Sequence, residues 1–169
     1  MSRSGYVDDY DDENNTLGLW RGAVYRSIRG KRGQAALKEL AAAMDAMPNK
    51  TLAAESLVTA DGQFCTLGVL GKARGLNMNP IDPDDWEAVA KAFNLAPAMV
   101  REIVYENDEG LRTYEYVYVT LCGPVRPWYP EYGEHSVRHM VEIPEERLGQ
   151  MRWKKMRDWV ERHLEKSPA

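Results

Sequence analysis

Between Thr16 and about Tyr105 the apolar residues of this chain recur at three and four positions, and from Thr113 to Leu121 they recur at two. A helix brings residues three and four apart onto one face, whereas a strand alternates its side chains, so this change of period fixes most of the architecture. The first stripe, Leu17, Trp20, Val24 and Ile28, follows Thr16 as a helix N-cap. Gly30 and Gly33 bracket a tight turn, and a second helix runs from about Gln34 to Met47 with Leu37, Leu40, Ala41 and Met44 inward, closed by Pro48. Residues 49 to 61 carry a weaker pattern, read as a short helix around Leu52 to Leu57 followed by an Asp61-Gly62 turn. The third helix, about 62 to 74, bears Gly68 and Gly71 three apart, a spacing that calls for another helix packed closely against it. Asp82-Pro83-Asp84-Asp85 opens a fourth helix through Trp86, Val89, Ala90 and Phe93, with its carboxylates at the positive end of the helix dipole. A fifth runs from about Pro97 to Tyr105.

In the period-two stretch Val117, Val119 and Leu121 share one face, and Tyr114, Tyr116 and Tyr118 the other. A return strand at about 136 to 143 completes a hairpin across the loop from Gly123 to His135. Pro144-Glu145-Glu146 then starts the last helix, which carries Trp153, Met156, Val160 and Leu164 and reaches about Lys166. The expected fold is mainly α (α+β): a compact multi-helix domain over residues 16 to 169 with one antiparallel β-hairpin inserted at about 111 to 143. Residues 1 to 15, rich in Ser, Gly, Asp and Asn, read as an acidic flexible arm that supplies no core.

With 169 residues the chain is long enough to bury a core without metals or disulfides. Cys65 and Cys122 are its two cysteines. Residues 1 to 15 lack a basic and then apolar leader, so both thiols are expected to be reduced and the protein cytoplasmic. No apolar run is long enough to span a bilayer.

Charge is sharply sorted along the chain. Asp8, Asp9, Asp11, Asp12 and Glu13 precede a stretch, Thr16 to Lys38, that has six bases and no acid; residues 77 to 146 hold fourteen acids against five bases, a local −9 within an overall −4. Such a middle excludes a general nucleic-acid coat, although a local basic face can still touch phosphate. On the first helix Arg21, Tyr25, Arg29 and Arg32, flanked by Lys31, form a cationic and aromatic edge opposite the apolar stripe. Guanidinium groups there can grip phosphates or carboxylates. Two readings stand: an interaction surface, or a face neutralised by the chain's own Asp8 to Glu13 arm. The loop 123 to 133 holds Trp128, Tyr129 and Tyr132 among three prolines, a composition that suits an interface anchor or rings folded back on the domain.

Three other patterns are weaker. Residues 89 to 104 resemble a helix-turn-helix, with Asn94 at the left-handed turn, but Arg101 is the lone base-reading side chain and acids follow it. His135 and His139 lie four apart, with Cys122 or Glu134 nearby, yet lack a metal-binding motif around them. Glu102, Glu106, Asp108 and Glu109 form an acidic helix end that could hold a divalent cation but reads better as a solvated turn at Gly110. Nothing resembles a nucleophilic triad or a phosphate-binding glycine loop, so no catalytic residue, metal or cofactor is expected.

Met1-Ser2-Arg3-Ser4-Gly5-Tyr6 with Asp8 and Asp9, Trp20-Arg21-Gly22-Ala23-Val24, Arg29-Gly30-Lys31-Arg32-Gly33-Gln34-Ala35, Asn107-Asp108-Glu109 and Met156-Arg157-Asp158-Trp159-Val160 resemble a family of small proteins encoded in tailed-phage and prophage genomes. The resemblance spans most of the chain and is least in about 111 to 143. It implies an accessory protein that binds and modulates or inhibits a host protein or ribonucleoprotein, including defence systems such as CRISPR effectors. A nucleic-acid-binding regulator using the basic helix or the paired helices is the alternative.

Overall fold

The computed structural model describes residues 3–6, 16–122 and 134–165. It is mainly helical with one antiparallel hairpin, as the periodicity predicts, and divides into two compact units, residues 1–111 with 149–169, and residues 112–148.

The first unit begins with α1 (Thr16–Arg29) and α2 (Lys31–Asp45). Gly30 alone separates them: its extended backbone, φ −65° and ψ 156°, makes it the N-cap of α2. Gly33 is not part of the turn. It lies in the first turn of α2, where a Cβ would collide with the carbonyl oxygens of Ser27 and Ile28, so the residue permits a close approach of two helix ends. One residue on, buried Gln34 donates to Ile28 O at 3.0 Å and His163 O at 2.9 Å and accepts from Glu165 N at 2.9 Å. This amide binds the end of α1, the start of α2 and the end of α6 (Glu145–His163) together.

The short helix expected around Leu52 to Leu57 does not form. Leu52 N donates to Gly149 O and Ala53 N to Phe64 O, so these backbone groups are taken by distant segments rather than by a helical turn. Val58 pairs with Phe64 across the Asp61-Gly62 turn, and Gly62 takes φ +78° there. α3 is shorter than expected, Thr66–Ala73, because Cys65 caps it through a sulfur that accepts from Gly68 N. The tight approach at Gly68 and Gly71 is present, but the neighbours are the Leu57 carbonyl for the first and Met78 with Phe93 for the second.

α4 (Trp86–Ala92) is capped by the Asp85 side chain, which accepts from the amides of Glu87 and Ala88. Asn94 adopts φ +49° and Pro97 opens α5 (Pro97–Val104), as the sequence predicts. α5 is buried from Ala98 to Val104 and touches α1, α3 and α4; a π-helical turn, Tyr105–Glu109, continues it. The core gathers Val24 and Ile28, Leu37, Leu40 and Met44, Leu70, Val89 and Phe93, Met99 and Ile103, and Met156, Trp159 and Val160.

The second unit is built on β1 (Tyr114–Cys122) paired antiparallel with β2 (Glu134–Glu142). The register sets Tyr116 opposite Met140, Val117 opposite His139, and Tyr118 opposite Arg138. Directly opposed residues share a face, so the tyrosine face carries Met140 and Arg138 while the other carries Val117, Val119, Val137 and His139.

Candidate functional site

The basic edge is divided by the helix break. Arg21, Tyr25 and Arg29 stand on α1, whereas Lys31 and Arg32 belong to α2. Arg21 is turned to a carboxylate of its own chain, donating from Nη1 to Glu102 Oε2 at 2.8 Å, and this bond raises its basicity. Glu102 is the anion that Arg21 meets among the described residues, and Asp8 to Glu13, the other expected partner, lie outside them. Arg29 donates to the Tyr25 hydroxyl at 2.6 Å and lies 4.9 Å from that ring's centroid. Arg32 reaches Asn94 Oδ1 at 3.5 Å, a weak contact, and Lys31 has no partner among the described residues.

Arg21, Tyr25 and Arg29 form one wall of a cleft of about 740 Å³ whose other wall is Arg162, His163, Leu164 and Glu165, with Val24 and Ile28 also lining it. Arg162 and His163 were not legible as partners of the edge, since the Gln34 amide that brings the end of α6 to α1 acts over 129 residues. His163 Nδ1 meets Trp159 O at 2.8 Å and its ring packs on Trp159, which fixes the imidazole in place.

Behind Arg21 residues 3–6 meet Asp84, Glu102 and the turn at Asp108 and Glu109. Arg3 pairs with Asp84 at 2.9 Å and with Asp108; Ser4 N and Oγ donate to Glu109; the Tyr6 hydroxyl donates to Glu102. Burial, with Glu102 beside it, pushes the Tyr6 hydroxyl far above the ordinary phenol range, so it remains a donor. Arg101 donates to Ser4 O and lies between the rings of Trp20 and Trp86, 4.3 and 4.4 Å from their centroids. Asn107 accepts from the Thr66 amide and hydroxyl and donates to Ala53 O. Residues 3–6 of the expected flexible arm are therefore part of the first unit, with Ser4 fully buried. The reason is chemical: a short polar segment can be held by ionic and aromatic partners where apolar side chains are lacking.

This burial also corrects the helix-turn-helix reading. Arg101 is 8% exposed and cannot reach a base edge, because Trp20, Trp86 and Ser4 enclose it. Nor do Glu102, Glu106 and Asp108 form an open carboxylate set: Arg21, Lys155 and Arg3 pair with them. Among the described residues no group of three His, Cys, Asp or Glu is placed to hold a metal. Cys65 carries a free, buried thiol pushed up to about 11 by desolvation.

The hairpin presents the other candidate surface. Tyr118 is 67% and Met140 65% exposed, and Tyr116, Val117, Val119 and Val141 are exposed as well. Arg138 stacks on Tyr116 at 4.1 Å, and Tyr114 meets Tyr116 edge to face. Trp128, Tyr129 and Tyr132, expected to anchor the same surface, lie outside the described residues. No helix among the described residues is long and apolar enough to cross a membrane. No protein-family model, curated protein or solved structure matches the chain.

Proposed function

We propose that this chain is a non-enzymatic accessory protein of the tailed-phage and prophage type that binds a host protein or ribonucleoprotein and modulates or inhibits it, with the hairpin as its principal contact. One observation carries this reading. Of the eight exposed large hydrophobic residues among those described, six stand on the hairpin, interleaved with Arg138. Tyrosine, methionine and arginine are the side chains that dominate the centres of protein interfaces, and a two-stranded ribbon with apolar groups on both faces gains from being covered. The hairpin unit is not basic, which favours a protein surface over a phosphate backbone as its partner.

The groups with displaced acidity are tied up within the chain: Tyr6 is bonded to Glu102, Asp45 to Arg157, and Cys65 is buried. The test is affinity capture from host lysate with the partner identified by mass, followed by sizing of the purified complex. Tyr118→Ser and Met140→Ser alter solvent-facing positions and should leave stability within about 0.5 kcal/mol while abolishing the complex. A complex of undiminished affinity in both variants would remove the hairpin from the interface.

A further inference from the structure

We propose that the cleft between α1 and the end of α6 binds a nucleotide phosphate with its base or sugar. Its volume of about 740 Å³ falls in the range of small-ligand sites. Three arginines, Arg21, Arg29 and Arg162, and one acid, Glu165, line it; Arg21 is already paired with Glu102, so Arg29 and Arg162 supply the charge open to an anion. Arg162 makes no hydrogen bond or ion pair among the described residues, and Arg29 uses one N–H on the Tyr25 hydroxyl, leaving Nε and Nη2 for phosphate oxygens. The bond from His163 to the Trp159 carbonyl places a proton on Nδ1, which leaves Nε2 as an acceptor for a sugar hydroxyl or a base N–H.

The same cleft offers a surface for a flat ring. Tyr25 is 58% exposed with Arg29 against its ring, and Val24, Ile28 and Leu164 supply an apolar floor. Stacking on tyrosine beside arginine is how proteins hold bases without reading their edges. Glu165 sets a limit on charge: its carboxylate disfavours a triphosphate relative to a single phosphate or a phosphodiester. The ligand chemistry is thus one phosphate with an attached ring, supplied by a free mononucleotide or by a single strand. The site lies on α1 and α6 and stands or falls independently of the hairpin.

Calorimetric titration of the full chain at low salt, with AMP, ribose 5-phosphate, ATP and a ten-nucleotide uridine strand as probes, tests this. AMP should bind saturably, about fivefold or more tighter than ribose 5-phosphate, and more tightly than ATP. Tyr25→Ala should erase the difference between AMP and ribose 5-phosphate, and Arg29→Glu and Arg162→Glu, both at exposed positions, should each weaken AMP at least tenfold with an unchanged thermal midpoint. A strand that binds tenfold tighter than AMP, with a steeper salt dependence, assigns the site to a nucleic-acid backbone; equal affinity assigns it to the free nucleotide. No saturable binding of any probe, or AMP affinity unchanged in both arginine variants, overturns the proposal.

Discussion

A Cβ on Gly68 would occupy the space of the Leu57 carbonyl oxygen, so Gly68→Ala is expected to cost about 1–3 kcal/mol, read as a lowered urea midpoint. Gly62 is the control: it has open space around it but φ +78°, so Gly62→Ala tests backbone strain alone, at about 1 kcal/mol. The glycine spacing in α3 was legible in the sequence as a close approach, but not its neighbour, because Leu57 arrives from a segment with no period of its own. Cys65 makes a second residue-level prediction. Its folded value, about 11, lies above the ordinary thiol value of 9.0, so its contribution is complete below about pH 9 and is lost as pH rises towards 11. Two pKa units correspond to at most about 2.7 kcal/mol. Cys65→Ser keeps an N-cap acceptor for Gly68 N and should remove that share of the alkaline loss, seen by comparing urea midpoints at pH 8 and 10.5.

At the scale of elements, the helices were readable because stripes and caps act within four residues. Asp85, Asn94 and Pro97 do locally what their types predict. Segments held by distant partners were not readable in this way, and the four residues from Arg3 to Tyr6 are the main case. Gly5 is buried at φ +69°, where a Cβ would lie 2.7 Å from both Arg101 Nη2 and the Trp86 ring. Gly5→Ala should therefore detach the segment, lowering stability by about 1–3 kcal/mol and speeding proteolytic cleavage near Tyr6 as followed by mass. Unchanged cleavage kinetics would mean that Arg3, Ser4 and Tyr6 hold the segment without Gly5. The basic edge was legible as a composition on α1, whereas its second wall, Arg162 and His163, came from the far end of the chain.

Across the whole molecule, ion pairs link helices that are remote in sequence. Arg157 on α6 grips Asp45 at the end of α2 with two bonds, 2.8 and 3.0 Å, and holds that carboxyl below its ordinary value of 3.8. A depressed folded value gives stability that is present above about pH 3.8 and is lost as pH falls through the lower folded value. Asp45 is half exposed, so water screens the pair and Asp45→Asn should cost under about 1 kcal/mol at pH 7. Urea midpoints of the two proteins should converge in acid below that range. By itself the sequence determined the six α-helices and the hairpin, the change from helical to strand period, and the sorting of charge, since each depends on residues a few positions apart; it did not determine the non-helical run around Leu52 to Leu57 or the π-helical turn after α5. Only the tertiary structure decided that Arg21 meets Glu102, that Arg101 is enclosed by tryptophans, and that the end of α6 completes a cationic cleft. The Arg21–Glu102 and Gln34–His163 bonds span 81 and 129 residues, and local propensity carries no information about which of many like groups packing will bring together.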